Sequence, residues 1–216
     1  MSEDKKLLRF DFNQKYLVWD WETTSLNLVA NNNRPWQLAF IVAQGKKILE
    51  RFEYFLWWEN LEVPEVVAKL TGFNRKKYEK NAVEPMQAIR KFDSFAMRDD
   101  VINVGHNILG FDVYMDALVR QYCGQPKNFS FVKRSFDTLS IEKAIKEGDE
   151  PPKDEDVLPW MYRYTTFFKR KGGGNSIKAL CKQYEIDFDE NKLHDASYDI
   201  EKNFEIFQKQ LWKIEI

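Results

Sequence analysis

Residues 15–26 read KYLVWDWETTSL. The first half is an apolar run rich in aromatic and β-branched residues, the signal of a buried strand. Asp20 and Glu22 stand at its end. Two residues apart on a strand, their side chains point to one face. Carboxylates that close repel, and burying either is costly without a cation. A divalent ion such as magnesium, which takes hard oxygen ligands and keeps waters and substrate phosphate in its shell, removes that cost. A lone Asp-x-Glu also reads as two solvated acids at a strand end, so the rest of the chain has to decide.

Working outward, TTSLNLVANNNRP (23–35) is turn chemistry, and WQLAFIVA (36–43) is a second strand. A third, KKILERFEYFLWW (46–58), follows with Gln44-Gly45 near the turn, which predicts an antiparallel hairpin. Pro64 opens a short helix that Gly72 stops. Residues 84–98 read as a helix with Ala88, Ile89, Phe92 and Phe95 on one side, 100–107 as a fourth strand, and 110–122 as a helix. Residues 134–148 give a short strand, then a helix. Helical patterning resumes over 176–184 and again over about 195–212. The order predicts an α/β fold: a mixed five-stranded sheet flanked by helices.

The chain of 216 residues is enough for one domain, here 1–216. Within it, 148–174 departs in composition, with three prolines, an acidic stretch, an aromatic cluster and a glycine run, and reads as an insertion or lid. A net charge of −1 excludes a strongly basic coat protein but not a nucleic-acid enzyme, because a carboxylate-lined site offsets the basic residues around it. Cys123 and Cys181 fit no zinc pattern and read as free thiols. The first residues lack a signal-peptide core, and no apolar run is long enough to span a bilayer. These absences predict a cytoplasmic protein with no membrane partner.

Three further residues join the first two acids. Asp112 closes VGHNILGFD (104–112), a few residues after a strand, where an acid also complements a helix N-terminus. His194 and Asp199 occur in HDASYD (194–199). On a single helix they would point about 140° apart, so the better arrangement keeps His194 in the preceding loop and Asp199 in the first turn or two, with Asp195 as the N-cap. A loop histidine has a pKa suited to a general base near neutral pH, and is equally at home merely exposed.

Taken together, these motifs resemble the DEDDh family of 3′→5′ exonucleases, which have a ribonuclease H-like fold. Asp20-Trp21-Glu22-Thr23-Thr24 matches the first motif, with Ser25 where the family often has glycine. Gly105-His106-Asn107 through Phe111-Asp112 matches the second, and His194 with Asp199 the third. AKLTGF (68–73), FDTL (136–139) and SIKALCKQYEI (176–186) are lesser landmarks, so the resemblance spans about residues 15–212. The sister DEDDy group has tyrosine four residues before the last aspartate; that position is Asp195 here, and Tyr198 does not meet the spacing.

The resemblance implies catalysis by Asp20, Glu22, Asp112, His194 and Asp199, with two divalent ions, Mg2+ or Mn2+, as cofactors. By similarity Asp20, Glu22 and Asp199 hold one ion, Asp20 bridges to the second and Asp112 supports it, while His194 takes a proton from the attacking water. The implied activity is release of nucleoside 5′-monophosphates from the 3′ end of a single-stranded nucleic acid, DNA before RNA. A polymerase or replication protein is the implied partner. The alternatives are an RNA-trimming or oligoribonucleotide-degrading enzyme and a non-catalytic nucleic-acid-binding scaffold on the same fold.

Around these residues, Thr23, Thr24 and Leu26 either touch the terminal nucleotide or form and pack the turn. Asn107 either hydrogen-bonds near the metals or caps the strand end. His106 reads as a structural histidine and Asp137 as a backbone anchor rather than a ligand. Trp160, Tyr162, Tyr164, Phe167 and Phe168, running into Lys169, Arg170 and Lys171, have the composition of a single-strand path or of a lid packed on the core. RKKYEK (75–80) and Lys133-Arg134 are phosphate-contact candidates with solvated surface as the default. FQKQLWKIEI (207–216) reads as an amphipathic helix end.

Overall fold

The computed structural model describes residues 13–28, 32–152, 156–166, 174–193 and 195–213. One mixed sheet organises them. Its strands are β1 (Lys15–Thr23), β2 (Pro35–Gln44), β3 (Lys47–Leu56), β4 (Ala82–Val83), β5 (Val101–Gly105) and β6 (Ser135–Asp137), in the spatial order β4-β3-β2-β1-β5-β6. β2 and β3 form the expected antiparallel hairpin, with Gly45 left-handed in its turn (φ 54°), and β1 pairs antiparallel with β2 to complete a meander. β5 and β6 then add in parallel beside β1. The sheet thus has six strands rather than five. The extra one, Ala82–Val83, is only two residues long, too short to carry a hydrophobic period, and exists because β3 offers it an edge at Phe55 and Leu56.

The helices among the described residues are α1 (Glu65–Thr71), α2 (Arg75–Asn81), α3 (Pro85–Ala96), α4 (Asp112–Tyr122), α5 (Thr138–Glu147), α6 (Val157–Thr165), α7 (Ile177–Gln183) and α8 (Ala196–Lys213). They cover both faces of the sheet, and the alternation along β1 shows which helix covers which. Trp19 meets Phe92 of α3 edge-on, ring centroids 4.9 Å apart, and Phe131 at 5.8 Å. Tyr16, on the opposite face, meets Phe204 and Phe207 of α8. Tyr16, Val18, Asp20 and Glu22 share that second face, so the strand aims its acids at α8. Each buried aromatic removes on the order of 150–250 Å² from water, which locks α3 and α8 across the sheet.

α2 was not evident from sequence. Asn74 caps it by accepting from Lys77 N, and Tyr78 inserts into the core, its hydroxyl donating to Leu56 O at 2.8 Å. That placement engages part of the 75–80 basic run in structure: Arg75 donates to Leu61 O and Lys77 pairs with Glu53. Arg134 likewise donates to Ala96 O and pairs with Asp99, while Lys133 is exposed. Part of 148–174 is also resolved in purpose. α6 packs on α5 and β6 with Trp160, Met161 and Tyr164 buried, so Trp160 and Tyr164 are core residues and only Tyr162 of that helix's aromatics remains exposed. Phe167, Phe168, Lys169, Arg170 and Lys171 lie outside the described residues, as does the end of the 207–216 segment.

Candidate active site

Parallel β1, β5 and β6 bring their carboxyl ends to one edge of the sheet, where open α/β sheets form their crevices. Asp20 and Glu22 end β1, and Asp137 ends β6. After β5 the chain makes the loop 106–111 and enters α4 at Asp112. Pairing of β1 with β5 stops at Val18–Val104, which leaves the Trp21 N–H without a strand partner on that side. Asp112 takes it, accepting from Trp21 N at 3.0 Å through Oδ1. The second motif is therefore bonded directly to the backbone between Asp20 and Glu22.

Asp199 enters from α8, in its first turn. Asp195 caps that helix, accepting from Ser197 N at 2.9 Å and from Tyr198 N at 3.3 Å. Asp112 and Asp199 are buried; Asp20 and Glu22 are half-buried. The electrostatics links all of them. Burial pushes the Asp20 carboxyl up, and the charge of Asp199 pushes it further. Burial does the same to Glu22, reinforced by Asp20, Asp199 and Asp195. Asp112 is raised by burial and by Asp20, with the Trp21 N–H opposing. No basic side chain among the described residues relieves Asp20 or Glu22. Among the described residues no three such side chains close tightly enough to enclose an ion by themselves. The donor set is nonetheless all carboxylate oxygen, mutually repelling and partly buried. It fits a hard divalent ion that completes its shell with water and phosphate rather than within an all-protein cage.

The loop that delivers Asp112 has its own anchor. Asp137 is fully buried and accepts from Asn107 N (3.1 Å), Leu109 N (3.0 Å) and Ser140 N (3.0 Å), capping α5 with the last. Asn107 is left-handed (φ 65°), and Gly110 N and Phe111 N both donate to its carbonyl. A Cβ at Gly110 would fall 2.5 Å from Asn107 Oδ1, so any larger residue there requires the Asn107 side chain to shift. His106 is held by Thr138 Oγ1 at 3.0 Å, and burial pushes it down to about 4. Its charged neighbours are Lys143 and Glu142 rather than the site acids.

On the other side of β1, Thr23 and Thr24 are buried. Thr23 Oγ1 donates to Ser25 O, and Thr24 Oγ1 accepts from Arg34 N at 2.9 Å. They hold the turn. Leu26 stands 83% exposed, free to meet a ligand. Asn33, which sequence reading left as one of three loop asparagines, is fully buried: its Oδ1 accepts from Ser25 N and its Nδ2 donates to Asn27 O. Nothing in a single sequence separates it from its neighbours. Asp195 carried a usable signal, since it lies one helical turn before Asp199 and so on the same face. Tyr198 donates no base to this site; its hydroxyl accepts from Asp189 N at 2.7 Å. His194 lies outside the described residues. An open cleft of about 700 Å³ runs between the end of α1 (Lys69–Gly72) and residues 190–201; Asp195 and Tyr198 line it, whereas Asp20, Glu22, Asp112 and Asp199 do not.

Comparison with known proteins accords with this geometry. The family described as Exonuclease (RNase_T) matches residues 17–207. A DNA polymerase III PolC-type protein of Ureaplasma parvum is 27% identical over 190 residues, covering 87% of this chain but 11% of that protein. The chain thus spans about a tenth of the length of that relative. Exonuclease I of E. coli in complex with a dT13 oligonucleotide superposes with a TM-score of 0.68 at 15% identity, covering 91% of this chain and 40% of that one. A zinc-bound complex of the same E. coli enzyme with single-stranded DNA gives a TM-score of 0.66 at 15% identity, over 89% of this chain and 39% of that one. The chain belongs to the DEDDh-type 3′→5′ exonuclease family of phosphodiester-cleaving enzymes.

Proposed function

We propose that this protein removes nucleotides from the 3′ end of single-stranded DNA, releasing nucleoside 5′-monophosphates. The carrying observation is the carboxylate set at the sheet edge, where burial and neighbouring acids raise Asp20, Glu22 and Asp112 and no basic side chain among the described residues relieves Asp20 or Glu22. A purely structural cluster of that kind only costs stability. Asp20, Glu22 and Asp199 would hold one divalent ion, and Asp20 with Asp112 a second, magnesium or manganese. When bound, two such ions supply the charge neutralisation and water activation that phosphodiester hydrolysis needs.

The chain's own residues do the rest. Asp112 is fixed on Trp21 N through Oδ1 and would offer its other oxygen to the site. His194, two positions before α8 in sequence, serves as the general base. Leu26 and the turn behind it would contact the terminal nucleotide, Asn107 would hydrogen-bond near the metal site, and the cleft beside α1 has room for the end of a strand. Thr23 and Thr24 contribute by shaping that turn. The likeness to an exonuclease I solved with dT13 supports a single-stranded substrate. The likeness to a PolC-type protein supports a polymerase as partner, in proofreading or end trimming. We read 1–216 as one exonuclease domain with an insertion at 148–174, and as cytoplasmic; no described helix is long and apolar enough to cross a membrane.

The test uses 3′-labelled and 5′-labelled single strands of DNA and RNA, with magnesium and then with chelator. Mononucleotide release from the 3′ label, lost on chelation, is the expected result. Preference for RNA would replace the substrate assignment, and binding without cleavage would leave a scaffold.

A further inference from the structure

The turn between β1 and β2 has no apolar anchor among its described residues. Leu26 and Leu28 are both exposed, and the buried side chains at its two ends, Thr24 and Asn33, are polar. Thr24 and Arg34 close its base: Thr24 N donates to Arg34 O at 3.1 Å, and Arg34 N donates to Thr24 Oγ1 at 2.9 Å. Above that pair, one fully buried amide reaches across the turn. Asn33 Oδ1 accepts from Ser25 N at 3.2 Å, and Asn33 Nδ2 donates to Asn27 O at 3.3 Å. The residues on either side of Leu26 are thus bonded to the same side chain.

Asn33 also faces α4. Its Nδ2 lies 3.5 Å from Sδ of Met115, which stands one helical turn past Asp112. Its carbonyl accepts from the hydroxyl of Tyr122, the last residue of α4, at 2.9 Å. Arg34 completes the joint: Nη1 donates to Asn33 O (3.0 Å) and to Tyr122 Oη (2.6 Å), with the guanidinium 4.1 Å from the centre of the Tyr122 ring. α4 is itself fixed to β1 through Asp112 on Trp21 N. The exposed leucine and the helix that carries Asp112 therefore meet at Asn33. Without that amide, Ser25 N and Asn27 O lose a partner that water replaces when the turn opens. Such an opening is local and leaves the core intact.

We propose that Asn33 is a positioning residue for the exonuclease reaction: it pins the Leu26 turn to α4, so that the side chain meeting the terminal nucleotide stays at a fixed place relative to Asp112. This rests on the exonuclease reading above and deepens it. Asn33 touches no nucleotide and acts through Leu26.

The experiment is a double-mutant cycle on wild type, Asn33→Ala, Leu26→Ala and the pair combined. Tyr122→Phe, alone and with Leu26→Ala, is a milder second arm that keeps the ring under Arg34 and removes only the hydroxyl. Each protein is assayed on a 3′-labelled single-stranded DNA of about ten nucleotides, with strand Kd followed in parallel by fluorescence anisotropy. Asn33→Ala and Leu26→Ala should each lower kcat/KM on the order of 10- to 100-fold. The combined variant should fall no further than the worse single one, because both changes remove the same contact. Tyr122→Phe should give a smaller loss that likewise vanishes in the Leu26→Ala background. Hydrogen exchange over 24–28 should quicken in Asn33→Ala, while magnesium still raises Tm as in wild type. Losses that multiply in the combined variant would overturn the proposal, as would wild-type exchange over 24–28 or loss of the magnesium effect. Wild-type kcat/KM in Tyr122→Phe would overturn the attachment to α4. If Asn33→Ala does not fold, the Tyr122→Phe arm decides by the same criteria. Wild-type protein that binds the strand without cutting it would instead sink the exonuclease reading, and the same cycle read as Kd would still decide the role of Asn33.

Discussion

Asp137→Ala probes the anchor that the catalytic geometry depends on. Asp137 is fully buried and accepts three backbone N–H groups, from Asn107, Leu109 and Ser140, at 3.0–3.1 Å. Alanine leaves three donors with no acceptor. A hydrogen bond contributes about 1 kcal/mol net, and an orphaned buried donor costs about 1–3 kcal/mol. The three belong to one network, so their losses do not add in full. We expect a destabilisation of about 3–5 kcal/mol, which for a chain of this size lowers Tm by roughly 10 °C. Asp137→Asn keeps one acceptor oxygen and should lose about half as much. Thermal unfolding followed by circular dichroism reads both variants. The functional consequence follows from the loop: with 106–111 loosened, Asp112 no longer holds its place on Trp21 N, and kcat on a DNA strand should fall much more than KM rises. The reasoning fails if Asp137→Ala melts within about 2 °C of wild type. It also fails if Asp137→Asn keeps the wild-type Tm but abolishes stabilisation by magnesium, because that pattern belongs to a ligand.

Further expectations concern the acids, the base and a remote ion pair. Burial and mutual repulsion raise Asp20, Glu22 and Asp112 in the folded chain. Between the ordinary carboxylate range and those raised values the folded state binds more protons than the unfolded one. Metal-free stability should therefore fall as pH rises through that window, and magnesium should raise Tm more at about pH 8 than at about pH 5; equal magnesium effects at both would contradict the charge assignment. His194→Ala should lower kcat on the order of 10²–10⁴-fold while magnesium still raises Tm; near-normal turnover at neutral pH removes His194 as the base. Asp20→Asn should abolish cleavage yet stabilise the metal-free protein at neutral pH, measurable as a higher Tm in chelator. Arg120 is buried between Asp116 (2.8 Å) and Asp93 (3.0 Å), so Arg120→Ala should cost about 3–5 kcal/mol in denaturant unfolding, with little change if the triad is merely superficial.

Much of this protein is local in origin and so is visible in one dimension. The β1 run, the hairpin at Gln44-Gly45, Pro64 and Gly72 around α1 and the Asp195 cap of α8 all follow from interactions within a few residues. So does the family resemblance, because a strand end and a helix start can be recognised by spacing alone. What depends on distant partners was hidden. β4 exists only because β3 has an edge to offer. Asp112 is defined by an N–H lying 91 positions away, left free where β5 diverges from β1. Asn33 looks like an ordinary polar residue until the turn it holds closes around it, and Asp137, legible as a backbone anchor, gives no sign that the loop it holds lies 28 and 30 positions away. The aromatic residues of α6 were indistinguishable by composition; packing against α5 and β6 buried Trp160 and Tyr164 and left Tyr162 exposed. Residue type and spacing specify what chemistry is available. Only the crossing of strands and helices decides which groups lose their water, and that loss is what makes four dispersed acids a single charged site.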